Sequence, residues 1–167
     1  MFYSEEYLNL LKIEHARSKK GWGSTGQRYH EIVKSKCLDL NTKEVLDYGC
    51  GRATLHGILK PDIIVTNYDP ALTEYNQLPQ PHDLVICFDV LEHIEIDFLD
   101  NVLSHIKSLT KKMLIATVAT NPAGRILKDG RNAHLIVEQL PWWNQRFINY
   151  FDIVKNEDNL FFLVPKN

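Results

Sequence analysis

Apolar runs too short to be helices alternate along this chain with amphipathic stretches at helical spacing. Residues 43–48, 63–68, 83–89 and 113–119 are rich in Val, Leu, Ile and aromatic side chains and read as buried strands of a parallel sheet. Between them, Phe98, Leu99, Val102, Leu103, Ile106 and Leu109 form one apolar helical face, with Lys107, Lys111 and Lys112 suiting its C-terminal end. A shorter helix is expected over 53–59, ended by Pro61, and another over 141–150, starting at proline. Near the start, Ser4 can cap a helix with Glu5 and Glu6 in its first turn and Tyr7, Leu8 and Leu11 on one face. Residues 19–26 break the periodicity as a loop, and Tyr29, Ile32, Val33 and Cys37 then share one side of a second helix. The chain closes with residues 151–154, a polar turn at 156–159 and residues 160–164, the pattern of an antiparallel hairpin.

This alternation predicts an α/β fold with helices on both faces of the sheet. Between Asp69 and Asp83 lie only thirteen residues, 70–82, and they include Pro70, Pro79 and Pro81. A single parallel crossover with its helix already takes at least about ten to twelve residues. No helix-strand-helix unit fits there.

Composition narrows the picture further. With 167 residues, 44% hydrophobic and 24% charged, the chain is expected to form one ordinary globular domain. The net charge of −2 gives no overall basic field for nucleic acid or anionic membrane. Cys37, Cys50 and Cys87 form no CxxC pair, so free thiols in a reducing, cytoplasmic setting are expected. No apolar run approaches the ~20 residues of a membrane span.

The candidate chemistry gathers after the strands. Residues 45–54 read strand, glycine turn, helix start: Asp47 can accept from a cationic group, and Gly49 and Gly51 let the backbone approach a ligand closely, with Cys50 between them. Asp69, eighteen residues after Gly51, can accept both hydroxyls of a ribose. Phe88 and Asp89 close the central strand where open sheets bind ligands, and Asp89, Glu92 and His93 follow at spacings that one helical turn would gather.

The acid-x-Gly-x-Gly turn, the acid after the second strand and Asp-Val-Leu-Glu-His-Ile at 89–94 together resemble the class I S-adenosylmethionine (SAM) dependent methyltransferases, from Thr42 to the C-terminus. The resemblance implies a Rossmann-like sheet, abbreviated because the third strand is missing, with residues 42–167 as the SAM-binding core and 1–41 as a helical flap. It implies that Asp47, Gly49, Cys50 and Gly51 line the methionine part of SAM, and that Asp69, Phe88 and Asp89 complete the cofactor site. Trp22 or Tyr29 in the flap would cover it. Gly-Arg-Asn-Ala-His at 130–134 also resembles small bacteriophage-encoded methyltransferase-like proteins.

Asp89, Glu92, His93 and the later His134 resemble the Mg²⁺ or Mn²⁺ site of enzymes that 2′-O-methylate RNA 3′ ends, with Asp89 where glutamate is expected. The same Leu-Glu-His-Ile occurs in methyltransferases that need no metal, where it fixes a turn. There His93 or His134 would act as general base. Arg131 and Asn132 could recognise an anionic or polar acceptor, and Trp142 or Trp143 could border it; His15, His30, His56, His82 and His105 read as surface or structural residues. No Asp/Asn-Pro-Pro-aromatic motif and no Pro-Cys nucleophile is present, which disfavours the amino-directed and cytosine-C5 DNA enzymes.

The sequence thus leads to SAM-dependent transfer to an oxygen or nitrogen of a small-molecule or nucleotide-like acceptor. A metal-assisted RNA 2′-O-methyltransferase, a non-catalytic SAM-binding module and, more distantly, an NAD-linked reductase are its rivals.

Overall fold

The computed structural model describes residues 1–17 and 22–167, so residues 19–21 of the predicted loop lie outside it. Six strands form one sheet in the order β2-β1-β3-β4-β6-β5. These are β1 (Glu44–Tyr48), β2 (Ile64–Tyr68), β3 (His82–Phe88), β4 (Thr110–Thr117), β5 (Phe151–Glu157) and β6 (Leu160–Pro165). The first four are parallel, while β6 runs antiparallel between β4 and β5. The third-strand unit is absent as expected: residues 70–81 contain only turns and irregular backbone.

Side-chain alternation along the strands feeds two cores. Val45, Leu84, Ile86 and Ile115 pack beneath α2 (His30–Asp39) and α3 (Thr54–Leu59), through Val33, Cys37, Leu55 and Leu59. Leu46, Tyr48, Val85 and Cys87 pack on the other face against α4 (Leu99–Leu109) and α5 (Leu140–Phe147). Trp143 and Phe147 are fully buried there, so that tryptophan is core; Trp142 lies beneath the Arg146 guanidinium, 4.7 Å away, and does not line the cavity. All three cysteines are free and buried.

Several boundaries shift for local reasons. Ala53 is left-handed at φ +52°, so α3 starts at Thr54. In the hairpin β5 reaches Glu157, and the turn passes through Asp158 at φ +53°. In α1 (Glu5–Arg17), Tyr7, Leu10 and Glu14 are the buried residues, and Leu8 and Leu11 only flank them. Ser4 does cap α1: the Tyr7 amide donates to its Oγ at 3.1 Å. No helix among the described residues is long and apolar enough to cross a membrane.

Candidate active site

The C-terminal ends of β1, β2 and β3 open into a cavity of about 520 Å³, within the usual range for small-molecule sites. The glycine turn forms part of its wall. Gly49 and Cys50 both donate to the Tyr68 carbonyl, at 2.7 and 3.1 Å, which ties the turn to the end of β2. Gly49 has φ +79°, and a Cβ there would lie 2.3 Å from Val90 Cγ2. Only glycine fits. Asp69 then holds the turn from outside: Gly51 donates to Oδ2 at 3.1 Å and Ala71 to Oδ1 at 2.9 Å.

Gly49, Gly51, Asp69, Phe88 and Asp89, expected at the cofactor, all line the cavity. Asp47 and Cys50 do not; they lie behind the turn, 7% and 2% exposed. Burial, with Asp69 adding a like charge, pushes Asp47 up to about 7. Burial likewise raises the Cys50 thiol, so it stays protonated.

Trp22 and Gly23 line the cavity on the side of the N-terminal segment. The Trp22 carbonyl accepts from Arg52 N at 3.1 Å, and Thr54 Oγ1 donates to the Gly23 carbonyl at 2.5 Å. A Cβ on Gly23, at φ +93°, would meet Cys50 O at 2.5 Å, so this segment also needs glycine to lie so close. Trp22 stacks on His93 with centroids 5.1 Å apart, and the Arg125 guanidinium sits 5.4 Å from its ring. Tyr29 instead packs on Phe88 at 4.9 Å and does not line the cavity. Helix α1 joins the loop after β4 through Tyr7, Leu10, Leu127 and Ala133, and Glu14 accepts the Lys128 amide at 3.2 Å.

Of the predicted metal set, Glu92, His93 and His134 come together, each offering a donor atom within 4.8 Å of the others. Asp89 does not join them. Its backbone takes φ +53°, its amide donates to Thr117 Oγ1 at 2.9 Å and the Thr117 hydroxyl donates back to Oδ1 at 2.7 Å. The expected helical turn begins only after it, as a 3₁₀ turn over Leu91–His93, so Asp89 is turned towards β4.

Both imidazoles have a fixed proton. His93 Nδ1 lies 2.7 Å from the Ala133 carbonyl and His134 Nδ1 2.6 Å from the Asn121 carbonyl. A carbonyl can only accept, so each Nδ1 carries hydrogen, and in a neutral ring of that tautomer Nε2 holds the lone pair. Burial lowers His93 to about 4, making it neutral and weakly basic. Glu92 is wholly buried: Oε1 accepts the Ala119 amide at 2.9 Å, while Oε2 has no hydrogen-bond partner among the described residues. That burial pushes its carboxyl up to about 8.

Arg131 and Asn132 are corrected by the structure. Arg131 pairs with Asp129 at 2.6 Å and lies over the Tyr7 ring, 5.1 Å away. Asn132 clips the loop, accepting from Ala123 N and donating to Ala123 O, both at 2.9 Å. Neither lines the cavity; Arg125 does. The sequence reading also missed His15, which lines the cavity with Nε2 3.9 Å from Asp69 Oδ2. The only signal for it was its place one residue after Glu14 on the face of α1 that meets the core. Among the other histidines, His56 and His82 bond to β2 and His105 to Tyr48, as structural residues.

A methyltransferase domain family matches residues 20–155. No curated protein matches the chain. Solved structures similar to it include the 1,6-didemethyltoxoflavin-N1-methyltransferase of Burkholderia thailandensis, bound to 1,6-didemethyltoxoflavin and S-adenosylhomocysteine. It is 16% identical with a TM-score of 0.66, over 96% of this chain and 87% of that one. The SAM-bound magnesium protoporphyrin IX methyltransferase of Synechocystis is 19% identical with a TM-score of 0.58, over 94% and 97% of the two chains. The N-methyltransferase NodS of Bradyrhizobium japonicum, bound to S-adenosylhomocysteine, is 10% identical with a TM-score of 0.60, over 98% and 100%. At these identities the likeness carries the fold, a parallel core with antiparallel C-terminal strands. The chain belongs to the methyltransferase domain family and is a SAM-dependent methyltransferase.

Proposed function

We propose that residues 42–167 bind SAM, that residues 1–41 close over it as a flap, and that the methyl group passes to an oxygen or nitrogen of a small-molecule or nucleotide-like acceptor. The observation that carries this reading is the convergence of Asp69, the glycine turn, His93 and His134 on one cavity. Asp69 takes the ribose and the turn takes the methionine end. The acceptor then lies near the two histidines and Arg125. Its lone pair attacks the methyl carbon, the carbon–sulfur bond breaks towards sulfur, and S-adenosylhomocysteine forms. Alignment supplies much of the rate. The acceptor's proton passes to Nε2 of His134, while His93, whose burial lowers it to about 4, serves to orient.

Small relatives with bound cofactor support this reading: the Burkholderia thailandensis enzyme holds a small-molecule substrate beside S-adenosylhomocysteine. The likeness of residues 130–134 to bacteriophage-encoded proteins suggests a similarly compact enzyme. The test is calorimetric titration with SAM and S-adenosylhomocysteine, followed by an acceptor screen. Binding that is lost in Asp69→Ala supports the proposal, and no binding by the unaltered chain refutes it.

One observation favours a second, metal-assisted reading. Glu92 Oε2 is buried without a partner among the described residues, beside two imidazoles whose Nδ1 protons are held by carbonyls, the arrangement that orients histidine ligands. Two nitrogens and one carboxylate suit Mn²⁺ better than Mg²⁺, and Asp89 is outside the set. When bound, the ion would polarise an acceptor oxygen, as in RNA 2′-O-methylation. Mn²⁺ binding lost in His134→Ala would support it; full activity in chelator would remove it.

A further inference from the structure

In a sheet with its third strand, the edge beyond β2 and the helix that follows would wall the cavity near Asp69. Here residues 70–81 supply neither. The start of the chain lines the cavity there instead. Phe2 and Tyr3 line the cavity beside Tyr48, Tyr68 and Pro70. Phe2 stacks on His105 of α4, centroids 4.3 Å apart and planes 15° from parallel. His105 Nδ1 in turn meets the Tyr48 hydroxyl at 3.0 Å, and the Tyr48 and Tyr68 rings lie 4.9 Å apart.

The segment is pinned. Ser4 N and Ser4 Oγ both donate to the Glu95 carboxylate at 2.8 Å, and Asn101 Nδ2 donates to the Met1 carbonyl at 3.1 Å. These three hydrogen bonds tie the first four residues to Glu95 and Asn101.

We propose that Phe2 and Tyr3 form one wall of the purine subsite, standing in for the absent third strand. The inference rests on the proposed binding of SAM. Tyr68 and Asp69 line the same cavity as Phe2 and Tyr3, so a nucleoside whose ribose sits on Asp69 places its base against the wall made by Phe2, Tyr3 and Tyr68. A planar purine ring has a π-face to stack there, and stacking on aromatic side chains tolerates base identity while adding affinity.

The test is titration of the full chain, and of Phe2→Ala, Tyr3→Ala and Phe2→Tyr, with S-adenosylhomocysteine and with 5′-methylthioadenosine, which keeps the purine and ribose but lacks the amino acid. Each alanine variant should weaken both ligands by about tenfold, consistent with the loss of one base–aromatic contact. Phe2→Tyr should bind as the unaltered chain does. Glu95→Gln, which loosens the pinned segment without lining the cavity, should weaken both ligands to a smaller extent. Thermal unfolding of each variant separates lost binding from lost fold. Should the unaltered chain bind S-adenosylhomocysteine and both alanine variants bind it equally well, the wall is overturned and the cofactor reading stands. Weakening of S-adenosylhomocysteine without weakening of 5′-methylthioadenosine also overturns it. No binding by the unaltered chain overturns the cofactor reading itself.

Discussion

The amide of Gly51 donates to Asp69 Oδ2 across 3.1 Å, so the residue expected to hold the ribose also holds the glycine turn. With Ala71 N on Oδ1 at 2.9 Å, both carboxylate oxygens serve the backbone before any ligand arrives. Asp69→Asn replaces one acceptor by an NH₂ facing an amide donor. Loss of a buried, charge-assisted hydrogen bond costs about 1.5–3 kcal/mol, so Asp69→Asn should unfold at lower temperature and bind SAM at least about tenfold more weakly. Calorimetry and a thermal melt read the two effects separately. Unchanged values in both would show that the turn holds itself.

Gly49 and Val90 offer a double-mutant test. Gly49→Ala adds a Cβ 2.3 Å from Val90 Cγ2 and places alanine at φ +79°. Strain of this kind costs of order 1–3 kcal/mol, beyond the clash itself. Adding Val90→Ala should relieve the clash but not the backbone strain. Chemical denaturation of the four proteins should therefore show a positive coupling with incomplete recovery. Additive losses would mean that Val90 moves aside freely.

Asp47 gives the fold a pH dependence. Its carboxyl is raised to about 7 by burial and then by Asp69, against about 4 in an unfolded chain. Between those values the native state binds the extra proton, so stability is full below about pH 4 and falls as pH rises through 7, by a few kcal/mol at most. Asp69, also raised by burial, acts in the same direction. Asp47→Asn should flatten part of this slope in melts from pH 4 to 8. An unaltered slope would place the titration elsewhere.

His134 and His93 should separate in kinetics. As the proton acceptor, His134→Ala should lower kcat by about 10² or more, within the range for general bases. His93→Ala should raise KM more than it lowers kcat, because His93 carries the Trp22 stack and presents a weakly basic Nε2. Equal and small effects of both changes would leave methyl transfer to alignment alone.

Much of the fold was legible because parallel strands buried on both faces read as short, mainly apolar runs, as those at 45–48, 64–68, 84–88 and 114–117 do. The missing third strand followed from chain length, and the glycine turn from residues that only a close backbone approach requires. These are local constraints, written in consecutive residues. Contacts between distant segments were not readable in this way. Arg131 faces Asp129 and Tyr7, while Arg125, six residues earlier on the same loop, faces the cavity. Asp89 turns to Thr117, which lies 28 residues away, and leaves the His93–His134 cluster. Phe2, Tyr3 and His15 reach the cavity because α1 docks on a loop more than a hundred residues later, through Glu14 and Lys128. The sequence alone determined which backbone could be built. Where the side chains of its loops point was decided by packing partners that no local pattern records.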